Sequence, residues 1–286
     1  MDTIYIQSLV DSCKALVNEM DAEAAIITGE NTLALIEISM VNADSKTKQK
    51  LNWAKATIFR HIGNAYKDIM LDYPKALDAY DKCLKIARAS NDKVNSGAAL
   101  FNSGEVYLQA KQFDKALDYL GQSLKLFQEI GHSFGIALSY SSLGTAYNRL
   151  GKDSLALLQY NKSIEMFTDM EDTANIASQL NNMAEIYIGQ KKYDEAMDSY
   201  QHSYRLYEAF GDTLDIAYSI AGIGMVYQEG KNDLVKAEEY FLRALRIAKT
   251  YNLELEKEAL KALRDLYNKQ GRYKEAYAMY DRYILI

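Results

Sequence analysis

The sequence is poor in the residues that interrupt helices. Proline occurs once in 286 residues, at Pro74, and glycine 15 times. Proline ends helices and confines strands to edges, so its scarcity argues against a loop-rich or all-β chain and leaves helix as the default. Cysteine is nearly absent as well. Cys13 and Cys83 form no CxxC pair, which excludes a disulfide framework and a zinc site and reads as two buried thiols. Long apolar runs are missing: Asp2, Asp11 and Glu19 break the continuous apolar run in residues 1–20 that a signal peptide or membrane span needs, so neither is expected there. The segment is expected to be soluble and cytoplasmic without membrane contact of its own, whether or not a longer protein is tethered. Basic excess is lacking too. A net charge of -6 argues against a nucleic-acid partner, and the cluster Lys46, Lys48, Lys50, Lys55 and Arg60 reads as a solvated face. No phosphate-cradling glycine loop, dinucleotide fingerprint, zinc-helix motif or nucleophile elbow occurs. His61, His132 and His202 are about 70 residues apart, too far to converge in an array whose units touch only their neighbours. The expectation is a non-enzyme with no cofactor and no metal.

What is present is a repeat. The pair [IL]-G-x-x-Y recurs as Ile62-Gly63 with Tyr66, Ser103-Gly104 with Tyr107, Leu143-Gly144 with Tyr147, Met183-Ala184 with Tyr187, Ile223-Gly224 with Tyr227, and Leu263-Arg264 with Tyr267. The tyrosines are spaced 41, 40, 40, 40 and 40 residues apart. Nine or ten residues after each comes A-x-x-x-[YFL]: Ala76 with Tyr80, Ala116 with Leu120, Ala156 with Tyr160, Ala196 with Tyr200, Ala237 with Phe241, Ala276 with Tyr280. Both motifs sit in segments of helical apolar spacing, so each unit is predicted to be a helix, a short turn and a second helix. The small residues let the two helices approach closely. Gly151, Gly230 and Gly271 are expected in the turns, in the left-handed conformation that closes a helix, and Pro74 at the start of a second helix.

G-x-x-Y followed by A-x-x-x-[YF] resembles the tetratricopeptide repeat signature, from about residue 54 to 286. The usual repeat is about 34 residues long and ends on a proline; that proline is missing here, and the spare residues lengthen the helices and the links 129–135, 170–174 and 209–214. This longer variety resembles the arrays of spindle-orientation adaptors, kinesin light chains and bacterial sensor proteins. The resemblance implies an all-α, right-handed α-solenoid of stacked antiparallel hairpins. The expected repeats are residues 54–93, 94–134, 135–174, 175–214, 215–254 and 255–286. Residues 1–53 read as degenerate capping helices, with a turn expected at Gly29-Glu30-Asn31 and a helix cap at Asp44 or Ser45. The apolar tip Ile284-Leu285-Ile286 suggests a last helix that runs on into a further segment.

Such arrays bind on the concave wall made by their first helices. The register places Arg60, Asn64, Asn102, Glu105, Thr145, Asn148, Arg149, Asn181, Asn182, Glu185, Tyr218 and Met225 on that wall. Asparagine both donates and accepts, so these residues suit the backbone of an extended peptide. Asn181 and Asn182 resemble the paired asparagines of the kinesin light chain groove. A carboxylate clamp for acidic C-termini fits poorly, because Leu138 and Ser142 stand where basic residues belong. The expected function is a protein- or peptide-binding adaptor, the sensory or docking part of a larger bacterial signalling protein. The alternative is a structural module that forms homodimers without a separate ligand.

Overall fold

The computed structural model describes residues 3–211, 213–251 and 253–286, so Asp2 and Asp212 of the segments discussed above lie outside the described residues. The chain divides into two compact units, Met1–Lys152 and Asp153–Ile286. The first holds α1 (Thr3–Asn18), α2 (Ala22–Met40), α3 (Ser45–Asn64), a π-helical turn (Ala65–Ile69), α4 (Tyr73–Ala89), α5 (Lys93–Gln109), α6 (Phe113–Glu129) and α7 (Ser133–Arg149). The second holds α8 (Asp153–Asp169), α9 (Thr173–Gly189), α10 (Tyr193–Phe210), α11 (Thr213–Glu229), α12 (Leu234–Tyr251), α13 (Leu253–Lys269) and α14 (Tyr273–Leu285). No strand occurs among the described residues. Within each unit consecutive helices pack as antiparallel hairpins, and first helices lie beside the next first helix: α3 by α5, α5 by α7, α9 by α11 and α11 by α13.

The repeat motif explains the packing. A Cβ on Gly63 would lie 2.4 Å from the Tyr80 ring, one on Gly104 2.7 Å from Leu120, and one on Gly224 2.8 Å from the Phe241 ring. The motif alanines Ala76, Ala116, Ala156, Ala196 and Ala237 are fully buried, as are Tyr80, Leu120, Tyr160, Tyr200 and Phe241 at 1% exposure or less. Full burial of each such side chain contributes on the order of 2 kcal/mol. The signature tyrosines are less buried, and cations stand over several of their rings: Lys75 over Tyr66, Lys115 over Tyr107, Lys236 over Tyr227 and Arg272 over Tyr267.

The turns repeat as faithfully. A left-handed residue stands at Met20, Leu71, Asn91, Lys111, Gly131, Gly151, Glu171, Lys191, Gly211, Asn232 and Gly271. After it an amide donates back to the preceding helix, as from Gln112 to the Tyr107 carbonyl and from Lys192 to that of Tyr187, both at 2.8 Å. The next helix is often capped at once by Asp21, Asp72, Asp92 or Asp172. Asp44 caps α3 through the Thr47 amide at 2.7 Å.

Two expectations need correction. Gly230 is not the left-handed residue of its turn; Asn232 is, because in this copy Ala237 follows Tyr227 by ten residues instead of nine, and Gly230 is small because a Cβ would lie 2.5 Å from Tyr193. Nor does the chain turn at Gly29: α2 runs through it, and a Cβ there would lie 2.9 Å from Ile62. Pro74 falls in the first turn of α4, as expected.

The two cysteines and two of the three histidines, His61 and His132, are accounted for by packing or capping, while His202 is exposed on α10. Cys13 and Cys83 are buried, donate to the Ala25 and Asn95 carbonyls at 3.3 and 3.9 Å, and burial pushes their thiols up to about 11 and about 12. The His132 Nδ1 accepts from the Gly135 amide at 3.0 Å and so caps α7. His61 is 4% exposed on α3, and burial, with Arg60 and Lys14 nearby, lowers its pKa from 6.5 to about 3.

These positions make stability testable at two points. Gly121 is mid-helix in α6 with nothing close to where a Cβ would stand, whereas Gly131 is left-handed at φ 65°. Gly121→Ala should therefore stabilise by about 0.8 kcal/mol and Gly131→Ala should destabilise by about 1 kcal/mol, read as opposite shifts of the thermal midpoint. For His61 the folded pKa lies below the unfolded one, so the unfolded chain takes up the extra proton and stability falls as pH drops through 6.5 toward 3. Between pH 7.5 and 5.5 the first unit should lose about 1.4 kcal/mol, followed in urea by fluorescence of Trp53, the chain's one tryptophan. His61→Leu should remove most of that difference.

Candidate binding walls on the first helices

The residues expected on the binding wall fall into two groups, each within its own unit. In the first unit they lie on α3, α5 and α7. The Asn64 Oδ1 accepts from the Tyr80 hydroxyl at 2.8 Å and from the Asn102 Nδ2 at 2.9 Å. These two asparagines therefore join neighbouring first helices to each other and to the buried ring below, while staying half-exposed. Arg60 turns toward the start of α5, its Nε donating to the Asn95 Oδ1 at 3.3 Å, and burial lowers its pKa. Glu105 is half-buried, and its Oε1 has no hydrogen-bond donor among the described residues. A buried acceptor left so costs roughly 1–3 kcal/mol. Thr145 and Asn148 are half-exposed along α7, and Arg149 is exposed at its end; the Thr145 hydroxyl donates to the Ser141 carbonyl at 3.4 Å.

In the second unit the group lies on α9 and α11. The Tyr218 hydroxyl donates to the Glu185 Oε1 at 2.7 Å, linking two first helices as the Asn64–Asn102 pair does in the first unit. Asn182 is half-exposed, and Tyr218 and Met225 are 38% and 37% exposed. Asn181 departs from the expectation. It is 5% exposed, and its Oδ1 accepts from the Ser219 hydroxyl at 3.1 Å, so it joins α9 to α11 in the interior. Gln228, which the same register places on the wall, and four residues of α13 complete it. Gln228, one turn after Met225, buries its Oε1 with no donor among the described residues, and Leu255, Glu258, Lys261 and Asp265 on α13 face the same cleft as Glu185, Tyr218 and Met225. Their signal was the register itself, since Glu258 stands six residues before the motif's small position as Tyr218 does.

Among the described residues no group of three or more His, Cys, Asp or Glu could hold a metal ion, and no helix is long and apolar enough to cross a membrane.

The two asparagine environments separate by stability. Asn64→Ala leaves the buried Tyr80 hydroxyl without its acceptor and should cost about 2 kcal/mol, whereas Asn182→Ala, on a half-exposed face, should stay within about 0.5 kcal/mol of wild type. Urea midpoints of the purified variants measure both.

Profiles for the tetratricopeptide repeat match residues 55–129, 98–169 and 172–250, and a second profile for the tetratricopeptide repeat matches 259–285. No curated protein matches the chain. Several solved structures are similar. BtubC (BKLC) from P. vanneervenii shares 20% identity over 81% of this chain and 92% of its own, with a TM-score of 0.68. The apo form of RapI shares 15% identity over 98% of this chain and 96% of its own, with a TM-score of 0.72. NprR in complex with its cognate peptide NprX shares 18% identity over 98% of this chain and 77% of its own, with a TM-score of 0.65. At these identities the likeness is one of fold. With profile matches running from residue 55 to residue 285 and most of the chain inside them, the chain belongs to the tetratricopeptide repeat family.

Proposed function

We propose that this chain is a protein- or peptide-binding module whose first-helix walls, α3, α5 and α7 in one unit and α9, α11 and α13 in the other, receive an extended segment of a partner. The observation that carries this reading is a half-buried polar side chain on the wall of each unit, Glu105 and Gln228, whose Oε1 has no donor among the described residues and meets an incoming N–H once the side chain turns outward. An extended peptide supplies backbone N–H donors along its whole length. The half-exposed Asn102, Asn148 and Asn182 offer further donors and acceptors, and Tyr218 and Met225 offer apolar contact beside them. The fold similarity to NprR, solved with its cognate peptide, supports the same reading. In this reading residues 1–53 cap the array, residues 54–286 carry six repeats, and the chain acts in the cytoplasm as the sensory or docking part of a bacterial signalling protein.

The test is retention of partners from the source cell on the purified chain, beside a variant carrying Asn148→Ala, Asn182→Ala and Tyr218→Ala. A partner retained by the wild type and lost at least tenfold from the variant supports the walls as the site. An unchanged partner list overturns it.

Self-assembly is the second reading, favoured by α14. Tyr273, Tyr277, Tyr280 and Ile284 are 71%, 68%, 44% and 60% exposed on this helix, while the counterparts of Tyr280 in earlier repeats are at most 1% exposed. Light scattering of the wild type and of Tyr273→Lys with Tyr277→Lys decides it: a dimer that the substitutions dissolve supports assembly, and a monomer in both sinks it.

A further inference from the structure

The second unit contains a cleft of about 370 Å³ on the wall formed by α9, α11 and α13. Its opening traces to two small residues. The position two residues before the motif's small residue carries His61, Asn102, Ser142 and Asn182 in earlier repeats, but Gly222 and Ala262 in the two that form the cleft. Glycine is required at the first of these, because a Cβ on Gly222 would lie 2.3 Å from the Tyr200 ring. The rings of Tyr200 and Phe241, each 1% exposed, make an apolar floor, and Tyr218 and Met225 add exposed apolar surface above it.

The rim has a charge. Glu185, Glu229, Glu258 and Asp265 line the cleft against Lys261, and with Asp265 paired to Arg264 at 2.7 Å three carboxylates face one lysine. Partial burial, followed by the carboxylates of Glu185 and Glu254, raises the pKa of Glu258, so negative charge is crowded here in the free protein. The buried Gln228 Oε1 in the same wall also has no donor among the described residues. An occupant that is cationic, donates hydrogen bonds and carries an apolar group meets all three features. A bare metal ion does not, since no set of three ligating side chains converges among the described residues.

We propose that this cleft docks a peptide segment carrying a lysine or arginine beside an aliphatic or aromatic side chain. The cation lies between Glu185 and Glu258, and the apolar side chain rests on Tyr218, Met225 and the rings beneath. This inference rests on the peptide-binding reading above and adds the chemistry of the peptide to it. Acidic or purely apolar segments gain nothing from the rim.

The test pans the full chain, immobilised, against a random-peptide phage library, and then measures a selected peptide by fluorescence anisotropy. Enrichment of Lys or Arg next to an apolar residue is expected. Glu185→Gln with Glu258→Gln should weaken the selected peptide by about tenfold at low salt, with a smaller difference at high salt. Lys261→Glu should tighten it by about threefold, a gain that misfolding cannot imitate. Selected peptides with no basic preference, or with affinity indifferent to these substitutions, overturn the inference and leave the peptide-binding reading standing. A library that yields no peptide against the wild type overturns both.

Discussion

One close approach recurs in this chain and the rest of the structure depends on it: a glycine or alanine on the first helix of a hairpin lies against a buried ring or leucine of the second. Where the first helix offers Gly63, the Tyr80 ring fills the space a side chain would take; where it offers Gly224, Phe241 does. Interiors packed at crystal density cannot absorb an added methyl at these points without moving a helix. The contact therefore fixes how close the two helices come, and with it the row of first-helix residues left facing outward. The outward-facing walls are a by-product of that constraint. Residues next to the motif's small position, Asn64 and Glu185 among them, inherit a place on the wall because their neighbour is committed to the core.

The turns show how the array keeps its step when the sequence does not. Tyr66 to Ala76 and Tyr227 to Ala237 are ten residues apart where the other copies have nine. In the first case the extra residue is taken up as a π-helical turn, Ala65–Ile69, inside the end of the helix, and the Asp72 amide reaches back to the Tyr66 carbonyl at 2.8 Å. In the second it is taken up after the helix, with Asn232 left-handed and the Asp233 amide reaching the Tyr227 carbonyl at 2.9 Å. Both closures restore the bond from the cap to the signature tyrosine. That bond, more than the length of the loop, sets where the next helix starts.

Much of the fold is legible in the sequence because it repeats. Helix type, the hairpin period, the small-to-large contact and the cap at Asp44 each follow from spacing and from residues whose preference is local. What cannot be read is what depends on a partner about 40 residues away. Asn181 stands at the border between core and wall, a place held by Arg60, Phe101, Ser141, Ala221 and Lys261 in the other repeats. Ser219, 38 residues on, draws it into the interior. Gly230 has the marks of a turn glycine because it follows a helix and precedes a lysine, but its smallness answers to Tyr193, 37 residues back. Gly29 misleads for the same reason, with Ile62 as the distant neighbour. A glycine in this chain marks either a left-handed turn or a close helix contact, and only the position of the next helix tells the two apart.

The same ambiguity bears on function. In a repeat array the wall can change while the core stays constant, because wall and core positions alternate along each first helix. Gly222 breaks that separation. It lies where Asn102 and Asn182 carry wall side chains, yet a Cβ on it would collide with a core ring, Tyr200. The absence of a side chain there is enforced from below, and the cleft above is its consequence. A substitution that refilled the cleft at this position would have to displace Tyr200, so the shape of the wall in the second unit is tied to its core. In the proposed site the charges of Glu185 and Glu258 are free to change from one sequence to another, whereas the cavity beside them is held by the core contact of Gly222.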